Sequence, residues 1–495
     1  MLEEQLEKYF GYRSFKMGQK EVISSILAGR HTLAMLPTGT GKSLCYQLPG
    51  YLLSGAVMIV SPLLSLMQDQ VEQMMKYKEK RVVALNSFLS VNERKTVLHD
   101  LNKYKFIFIS PEMLQTEAMI QKLKMLSISL FVVDEAHCIS QWGYDFRPGY
   151  LKLGAIRREL GNPLTLALTA TATNEVREDI LRSLQLSDAA KIESTVDRPN
   201  IAFYIARTAD HQEKQHLLLE YAQKLQKPGI IYFSSKKTAD QMAQYLRDKG
   251  IGRVMAYHGG MDQEQRTLIQ QQFIHNQLDM ICATSAFGMG INKENVRFII
   301  HYHMPLQMES YLQEIGRAGR DGLPSIAILL HSPGDEQLPI QLVESELPAK
   351  QQIDWLFNRL RGQKRNKLSE LEKELIEAGG FSEIQWRLVE EFLKDSTISA
   401  DNLDDAQRKI EQYVERRLNI KKANIAKVKK WIEAKHCRRE MILDYFNETV
   451  EAKITNCCDF CGVNMNEYET KQSKQFFGEQ LNWKDYLRTI LVNES

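Results

Sequence analysis

The amino-acid sequence predicts an α/β protein with two tandem parallel-sheet domains, followed by a helical region with a metal-binding module. Short apolar, β-branched runs recur in two series with helical stretches between them, which is typical of buried parallel strands. After about residue 335 this pattern stops and amphipathic helical spacing takes over. Four of the seven cysteines crowd near the C-terminus, which indicates a metal site.

The two series of apolar runs give the strand predictions and the domain boundaries. The first series is 31–36, 57–60, 81–85, 106–109, 130–133 and 164–168, and the second is 201–205, 229–233, 253–257, 279–283, 296–300 and 325–330. The turn Asp197-Arg-Pro-Asn200 separates the series, because Pro199 interrupts any helix there. The predicted division is 1–198 and 199–335 for the two α/β domains, 336–436 for a helical insertion or linker, 437–470 for the metal module and 471–495 for a tail.

Local signals shape the helical region. Gly379-Gly380 can end one helix, and Ser382-Glu-Ile-Gln385 has the spacing of a capping box that starts the next. Apolar residues then recur three or four positions apart, which predicts one or two amphipathic helices. These residues are Ile410, Val414, Leu418, Ile425, Val428 and Ile432.

Length and charge exclude several classes of protein. No run approaches the roughly 18 apolar residues of a membrane span, and the amphipathic start of the chain lacks the apolar core of a signal peptide. We therefore expect a cytoplasmic protein with no membrane partner. Because 64 basic residues nearly cancel 62 acidic ones, net charge does not indicate nucleic acid, and any such site must be a local patch.

The segment Pro37-Thr-Gly-Thr-Gly-Lys-Ser43 lies between a predicted strand and a helix-like segment, where a phosphate-binding loop belongs. Lys42 would reach the β- and γ-phosphates of ATP, and the Ser43 hydroxyl would bind Mg²⁺. Since Leu36 stands where the usual motif has its first glycine, a glycine-rich structural turn is the alternative. The predicted nucleotide-binding residues here are Thr38, Gly39, Thr40, Gly41, Lys42 and Ser43.

Two acids follow a buried strand in Leu130-Phe-Val-Val-Asp-Glu-Ala-His137. Ligands bind at this end of the strands in open α/β sheets. Asp134 would hold Mg²⁺ through water, and Glu135 would orient or deprotonate the attacking water. The alternative is an acidic strand end that caps a neighbouring helix.

Two arginines with small residues between them mark the second half, in Gln313-Glu-Ile-Gly-Arg-Ala-Gly-Arg-Asp-Gly322. The small residues let Arg317 and Arg320 approach a nucleotide held by the other domain. An arginine finger of this kind is worth about 10³ to 10⁵ in rate. Arginines on a solvated helix end are the alternative.

The clustered cysteines are Cys437 and the group Cys457-Cys458-Asp-Phe-Cys461. Four thiolates suit tetrahedral Zn²⁺, so we predict that Cys437, Cys457, Cys458 and Cys461 bind zinc. A disulfide or a set of buried apolar thiols is the alternative.

Taken in order, these motifs resemble the RecQ family of superfamily 2 DNA helicases, and most of all its short bacterial members of the RecS type. The resemblance covers about the first two thirds of the chain and resumes at the cysteines. Further matching segments are Phe10 to Gln19, Ser61 to Gln70, Asp134 to Pro148, Thr169 to Ala172 and Thr284 to Lys293. It implies that the two α/β domains are RecA-like.

The resemblance also implies roles around the nucleotide. Gln19 would read the adenine edge and Tyr12 would stack on the base. Lys16 would also face the nucleotide, although the family usually has arginine at this position.

For DNA, the resemblance implies that Trp142-Gly-Tyr-Asp-Phe-Arg147 is the family's aromatic-rich loop, which couples single-strand binding to hydrolysis. Trp142 and Phe146 can stack on bases and Arg147 adds charge, whereas core packing of the aromatic residues is the alternative. Segments 61–70 and 284–293 would touch the DNA backbone, with Ser61, Ser65 and Gln68 as the first segment's DNA-binding residues.

The C-terminal part departs from longer relatives. Residues from about 345 to 425 resemble a helical insertion, and we expect no winged-helix or helicase-and-RNase-D C-terminal domain after the cysteines. A basic stretch could replace part of the duplex-binding surface, or could be a solvated helix face. It comprises Lys421, Lys422, Lys427, Lys429, Lys430, Lys435, Arg438 and Arg439.

The resemblance predicts an ATP- and Mg²⁺-dependent enzyme with structural Zn²⁺ that moves 3′ to 5′ on single-stranded DNA and unwinds tailed or forked duplexes in DNA repair and recombination. The expected partners are single-stranded and tailed duplex DNA, with a single-stranded-DNA-binding protein as a further candidate, for a nucleoid-associated monomer. The alternatives are a DNA-stimulated ATPase that acts as a DNA-binding scaffold, and an RNA helicase.

Overall fold

The computed structural model describes residues 2–62, 64–86, 89–140, 147–288, 293–361, 368–394, 400–450 and 454–470. In this part of the chain no helix has the length and apolar character needed to cross a membrane.

Seven strands form the first sheet. They are β1 (Thr32–Met35), β2 (Ala56–Val60), β3 (Val82–Leu85), β4 (Phe106–Ile109), β5 (Ile128–Val133), β6 (Thr165–Thr169) and β7 (Ala190–Glu193). The sheet order is β3-β4-β2-β5-β6-β1-β7, and all the strand pairs are parallel. Helices accompany them: α1 (Leu2–Phe10), α2 (Gln19–Leu27), α3 (Leu44–Leu52), α4 (Leu64–Lys76), α5 (Val91–His99), α6 (Glu117–Leu123), α7 (Pro148–Leu151), α8 (Leu153–Glu159) and α9 (Asn174–Leu184).

The second sheet has six strands, again all parallel. They are β8 (Ile201–Arg207), β9 (Gly229–Tyr232), β10 (Val254–Tyr257), β11 (Met280–Ala283), β12 (Phe298–His301) and β13 (Ser325–His331), in the order β10-β11-β9-β12-β13-β8. Its helices are α10 (His211–Lys224), α11 (Lys236–Asp248), α12 (Gln263–Ile274) and α13 (Met308–Ile315).

The predicted strands are present because their apolar runs are buried on both faces of a sheet. Edge strand β7 was missed, since its short sequence Ala-Lys-Ile-Glu alternates half-buried with exposed residues and contains one large apolar side chain. Such a four-residue edge strand carries too weak a pattern to be recognised without its partner β1.

A helical region follows the second sheet. It consists of α14 (Gln337–Glu346), α15 (Lys350–Arg361), α16 (Leu368–Gly379), α17 (Glu383–Lys394), α18 (Ala400–Glu433) and α19 (Arg438–Tyr445). The predicted capping box is present: Gln385 N donates to Ser382 Oγ at 3.3 Å, and Ser382 N donates to Gln385 Oε1 at 2.9 Å. α16 ends at Gly379, and Gly380 takes a left-handed conformation with φ 62°.

The apolar spacing predicted after residue 410 belongs to one long helix, α18, which serves two cores. Its first half packs Ile410 and Val414 against α15 and α17 in a helical lobe with its own core. In its second half, Val428 and Trp431 join the core shared with the sheets, and the Trp431 ring lies 5.1 Å from that of Tyr311 in α13. The predicted fold class, two parallel-sheet RecA-like domains followed by a helical region, is therefore confirmed.

Candidate nucleotide and nucleic-acid site

The predicted phosphate loop connects β1 to α3. Gly39 and Gly41 have φ of 88° and 73°, values that side chains with a Cβ rarely adopt. The Thr40 hydroxyl donates to Pro37 O at 2.8 Å and fixes the turn. The loop thus has the tight, glycine-dependent form in which backbone N–H groups can approach phosphate oxygens.

Lys16 and Gln19 brace this loop from outside. Gln19 is 3% exposed, and its Nε2 donates to Thr40 O at 2.6 Å and to Gly41 O at 3.1 Å. Lys16 N donates to Gln19 Oε1 at 2.8 Å, and Lys16 Nζ donates to Gly39 O at 3.2 Å. Tyr12, the predicted stacking residue, is 56% exposed. The Gln19 amide therefore bonds to the loop itself here, and its reading of adenine stays a prediction.

Ser43 directly precedes α3 and is held by a residue the sequence did not assign to the nucleotide. Its Oγ donates to Gln70 Oε1 at 2.9 Å, and the Tyr46 hydroxyl donates to the same oxygen at 3.3 Å. Gln70 lies in α4, within the segment expected to contact DNA. This helix therefore touches the phosphate loop.

Asp134 and Glu135 stand at the carboxyl end of β5, as predicted. Burial, together with the nearby Glu135 carboxylate, raises the pKa of Asp134 to about 7, while Lys42 opposes the rise. Glu135 has a left-handed φ of 47° and is 6% exposed. Its Oε2 lies 3.4 Å from His137 Nδ1, and that ring nitrogen also lies 3.0 Å from Thr169 Oγ1. A divalent cation beside Asp134 would stabilise the ionised carboxylate that burial disfavours.

Of the two predicted arginines, Arg320 reaches this site from the other sheet, whereas Arg317 lies beside Gly288 and Tyr232 of its own unit. Both arginines lie in the arginine loop, residues 316–322, which follows α13. A Cβ placed on Gly39 would lie 2.9 Å from Arg320 Cγ, so the Arg320 side chain packs directly on the phosphate loop. A Cβ on Gly316 would lie 1.9 Å from Thr38 Oγ1. Burial and the neighbouring Arg317 and Arg198 lower the pKa of Arg320 to about 9. This crowding of guanidinium groups is suited to an anion.

The predicted DNA-binding residues are described only in part. Ser61 is 1% exposed, and its Oγ has no hydrogen-bond partner among the described residues. Gln68 is exposed and donates to Glu72 at 3.3 Å. Ser65 lies within α4, but its side chain is outside the described residues, as are Trp142 and Phe146.

Arg147 is the described end of the aromatic-rich loop. Its Nη1 donates to Pro62 O at 2.6 Å, and its backbone N–H donates to Cys138 O at 3.0 Å. The end of the aromatic-rich loop is therefore hydrogen-bonded to the segment that follows Asp134 and Glu135 and to the start of segment 61–70. In segment 284–293, Lys293 is buried and donates to Asn276 Oδ1 at 2.7 Å. The Lys293 ammonium group therefore makes its hydrogen bond within the second α/β unit.

The four predicted zinc ligands converge. Their sulfur atoms all lie within 4.8 Å of one another, with 3.7 Å between Cys437 and Cys457 and 3.9 Å between Cys437 and Cys458. Four sulfurs about 2.3 Å from a tetrahedral zinc ion would be about 3.8 Å apart. A hydrogen bond from Cys457, with another from the Arg438 N–H, lowers the pKa of the Cys458 thiol and favours its thiolate. The cluster fits zinc.

The cysteine cluster also docks on the second sheet. Phe203 N donates to Cys457 O at 3.2 Å, and Asp459 N donates to Phe203 O at 2.9 Å, so this segment adds to the edge strand β8. Buried Arg438 pairs with Asp459 at 3.0 Å. The metal module therefore packs directly against the second α/β unit.

The basic stretch of 421–439 is divided: Lys422, Lys427, Lys430 and Lys435 are exposed, whereas several of its cations pair with acidic residues of other elements. Lys422 pairs with Glu344 at 2.6 Å, Lys429 pairs with Glu336 at 2.6 Å, and Lys421 pairs with Glu346. For Arg438 and Arg439 both sequence interpretations are wrong, because both side chains are buried and paired with carboxylates. Helical spacing cannot show that a cation pairs with an acid distant in the chain.

Sequence reasoning missed residues between the sheets. Asp197-Arg-Pro-Asn200 was interpreted only as a turn. Arg198 donates to the carbonyl oxygens of Thr38 and Gly316, each at 3.3 Å, and so touches both nucleotide-site loops. Asp197 pairs with Arg439. The sequence signal that could have identified them is the pair of opposite charges, Asp197 and Arg198, beside Pro199 at the predicted domain junction.

Comparison with known protein families divides the chain into three matches. Residues 16–180 match the DEAD/DEAH box helicase model, residues 213–322 match the helicase conserved C-terminal domain, and residues 395–462 match the RecQ zinc-binding domain. The first match contains six of the seven strands of the first sheet and the second contains β9 to β12 of the second sheet, so β7, β8 and β13 lie outside both matches. The third includes all of α18 and all four clustered cysteines.

Solved structures of helicases share this fold. One is the DUF1998 helicase MrfA bound to DNA, with a TM-score of 0.57, 18% identity, and coverage of 67% of this chain and 50% of that one. Another is the DEAD-box helicase Mss116 bound to ssRNA and UDP-BeF, with a TM-score of 0.57, 15% identity, and coverage of 85% and 89%. At these identities the likeness concerns the fold alone.

Curated relatives are much more similar in sequence. The probable ATP-dependent DNA helicase RecS of Bacillus subtilis (strain 168) is 44% identical over 491 residues, which is 99% of this chain and 97% of the relative. The ATP-dependent DNA helicase RecQ of Haemophilus influenzae is 41% identical over 350 residues, 70% of this chain, and RecQ of Bacillus subtilis is 41% identical over 357 residues, also 70%. These matches cover 56% and 59% of the two RecQ proteins. The chain belongs to the RecQ family of ATP-dependent DNA helicases.

Proposed function

We propose that this protein is an ATP- and Mg²⁺-dependent DNA helicase that translocates 3′ to 5′ on single-stranded DNA and unwinds tailed or forked duplexes in DNA repair and recombination. The observation that carries the proposal is the contact between Arg320 and Gly39, because it brings the arginine loop of the second sheet onto the phosphate loop of the first. Such an arrangement can make hydrolysis depend on closure of the two domains.

Within this site we assign the triphosphate to the loop from Thr38 to Ser43, with Lys42 as the cation that contacts its β- and γ-phosphates. Arg317 and Arg320 would neutralise the charge that develops on the γ-phosphate. Their mutual repulsion in a buried position supports this assignment, since an anion would relieve it. Tyr12, Lys16 and Gln19 would border the base.

Bound Mg²⁺ would neutralise phosphate charge during hydrolysis. The Ser43 hydroxyl and the Asp134 carboxylate are the groups that would hold it, and Gln70 positions the hydroxyl. Glu135 would accept a proton from, or orient, the attacking water, and His137 lies beside it. Zn²⁺ is assigned to Cys437, Cys457, Cys458 and Cys461, where its role is structural.

For nucleic acid, we assign single-stranded DNA to the face that carries Ser61, Ser65 and Gln68 and the loop with Trp142, Phe146 and Arg147. α4 supports a link between the two sites, because one of its ends follows Ser61 and its middle contacts Ser43 through Gln70. The helix also reaches the second α/β unit, since Asp69 hydrogen-bonds Gln270 of α12.

We further infer a monomeric, cytoplasmic and nucleoid-associated protein whose partners are tailed duplex DNA and a single-stranded-DNA-binding protein. The inferred domains are 1–198, 199–335, 336–436, 437–470 and 471–495. The RecQ zinc-binding match begins at residue 395, so part of the helical segment before Cys437 belongs with the zinc domain in the family.

Strand displacement with ATP tests the proposal. We expect unwinding of a 3′-tailed or forked DNA duplex and little unwinding of a 5′-tailed or blunt duplex of the same sequence, with Arg320→Ala as the inactive control. DNA-stimulated ATP hydrolysis without displacement would favour the scaffold alternative. Preferential displacement of an RNA duplex would favour the RNA helicase. Either result would overturn the proposal.

A further inference from the structure

The segment that joins the two sheets contains a side chain that contacts both nucleotide-site loops. Arg198 Nη1 donates to Thr38 O and to Gly316 O, each at 3.3 Å. Its Nη2 donates to Ala318 O at 3.1 Å and to Gly319 O at 2.7 Å. A single guanidinium group therefore hydrogen-bonds to the backbone of both loops. Its Nη1 contacts the phosphate loop and the arginine loop, and its Nη2 contacts the arginine loop only.

These carbonyl groups stand next to the parts that must meet during hydrolysis. Thr38 precedes Gly39, on which the Arg320 side chain packs, and Gly319 precedes Arg320. A planar guanidinium offers donors in a fixed fork, so its four bonds set a distance and an angle between the loops. The single ammonium group of a lysine cannot hold both loops in the same geometry.

The joining segment is itself held in place by the C-terminal part of the chain. Arg439 is 1% exposed, pairs with Asp197 and donates to Arg198 O at 3.2 Å. The Glu448 carboxylate accepts from Val196 N at 3.1 Å and from the Thr195 hydroxyl at 2.5 Å. Arg439 Nη2 also donates to Ile201 O at 2.5 Å, so the backbone that carries Arg198 is held on both sides of Pro199.

Such a restraint matters for Arg320, because its guanidinium lies close to those of Arg317 and Arg198 in a poorly solvated region. Repulsion by Arg198 would by itself move Arg320, and with it the arginine loop, away from the joining segment. The backbone carbonyl groups around Arg198 oppose this, since each carries a partial negative charge directed at the guanidinium.

We propose that Arg198 is a positioning residue for ATP hydrolysis, which holds the arginine loop against the phosphate loop and so sets the place of Arg320. This inference rests on the proposed function. Arg198 touches backbone only and acts through Arg320, so its loss should lower kcat and spare the binding of ADP, which the phosphate loop holds. A displacement of about 1 Å in a catalytic group can cost about 10²-fold in rate.

The test compares Arg198→Ala and Arg198→Lys with the wild-type protein and with Arg207→Ala. Arg207 is a matched control, because its Nη2 also donates to a backbone carbonyl in another element, Ile432 O at 2.8 Å, away from both loops. For each variant, kcat of DNA-stimulated ATP hydrolysis, the Kd for ADP, zinc content and Tm are measured. We expect kcat to fall about 10²-fold in Arg198→Ala and about tenfold or more in Arg198→Lys, with ADP binding unchanged within about threefold.

A double-mutant cycle with Arg320→Ala distinguishes positioning from general stabilisation. If Arg198 acts through Arg320, adding Arg198→Lys to Arg320→Ala should cause no further loss of the residual hydrolysis rate, which is measured in single turnovers with the enzyme in excess. Losses that multiply, or an Arg198→Lys variant with kcat within about threefold of wild type, would overturn the inference. Wild-type protein without DNA-stimulated hydrolysis would overturn the proposed function as well, whereas active wild type, inactive Arg320→Ala and active Arg198→Lys would overturn this inference alone.

Discussion

Glu135 illustrates how a single residue is specialised at the end of a buried strand. Its left-handed backbone conformation costs a residue with a Cβ about 1–3 kcal/mol and persists only where the surroundings hold it. Here Cys138 N donates to Glu135 O at 2.9 Å, and the carboxylate is enclosed beside His137. Burial raises the pKa of its neighbour Asp134 to about 7, and that carboxyl group has a different proposed role, as a magnesium ligand.

At this scale we expect Glu135→Gln to bind ATP and DNA with near wild-type affinity but to hydrolyse ATP at least about 10²-fold more slowly, since the group that orients water is lost and the phosphate loop is intact. Steady-state hydrolysis and a fluorescent-nucleotide titration measure the two effects. Lys42→Ala serves as the contrast, because it should weaken nucleotide binding too. A Glu135→Gln variant with more than about a tenth of the wild-type rate would contradict the assignment.

Among the elements, α4 and the two loops of the nucleotide site make the contacts that can couple DNA to ATP. α4 begins near Ser61, bonds to Ser43 through Gln70, and meets α12 of the second sheet through Asp69. Arg147 connects the aromatic-rich loop to the start of this path at Pro62. Rigid elements in series are one physical route for such coupling.

One prediction at this scale concerns Arg147. We expect Arg147→Ala to keep its DNA-free ATP hydrolysis while losing most of the stimulation by single-stranded DNA, because the bond to Pro62 O links the loop to α4 and touches no nucleotide group. The ratio of hydrolysis rates with and without single-stranded DNA is the measurement. Equal loss of both rates would mean that Arg147 maintains the fold of the first domain and does not transmit DNA binding.

The contact between the two loops gives a second prediction. Gly316 has an ordinary φ of −61°, yet a Cβ there would lie 1.9 Å from Thr38 Oγ1 in the other domain. Gly316→Ala should therefore leave each domain folded, separate the loops, and lower kcat while ADP still binds. Gly252→Ala is the matched control, because a Cβ there would lie more than 4 Å from its neighbours among the described residues. A Gly316→Ala enzyme with the kcat of the control would show that the contact is dispensable for hydrolysis.

For the whole molecule, the C-terminal region braces both α/β units. The cysteine cluster extends β8, Arg439 binds the joining segment, and α18 runs from the helical lobe to the core beside α13. Because these contacts involve residues distant in the chain, the metal module and the ATP site are expected to respond together to changes in stability.

Zinc removal is the test at this scale. We expect one zinc ion per chain by elemental analysis, and Cys437→Ser should lower zinc content, Tm and DNA-stimulated hydrolysis together, since structural zinc contributes on the order of 10 kcal/mol of apparent binding free energy. Cys282→Ser is the control, because this buried cysteine lies in β11, outside the cluster. Freshly purified, reduced protein without zinc would contradict the zinc assignment.

Local sequence patterns were sufficient to predict most of the strands and the chemistry of the motifs. Apolar runs such as 106–109 predicted strands because parallel strands are buried on both faces, and glycines beside Lys42 predicted a phosphate loop because few other residues accept its backbone angles. Spacing also predicted the capping box at Ser382 and the four zinc ligands. Each of these patterns involves residues close together in the chain, so it can be recognised from the sequence alone.

Contacts between residues distant in the chain became known only from the three-dimensional structure. Arg198 was visible only as part of a turn, Gln70 only as part of a DNA segment, and Arg439 only as one of a basic stretch, yet each has its partner far away in the chain. Edge strand β7 likewise becomes recognisable beside β1. The physical reason is that ion pairs, buried hydrogen bonds and edge pairing depend on separation in space, which local periodicity does not encode.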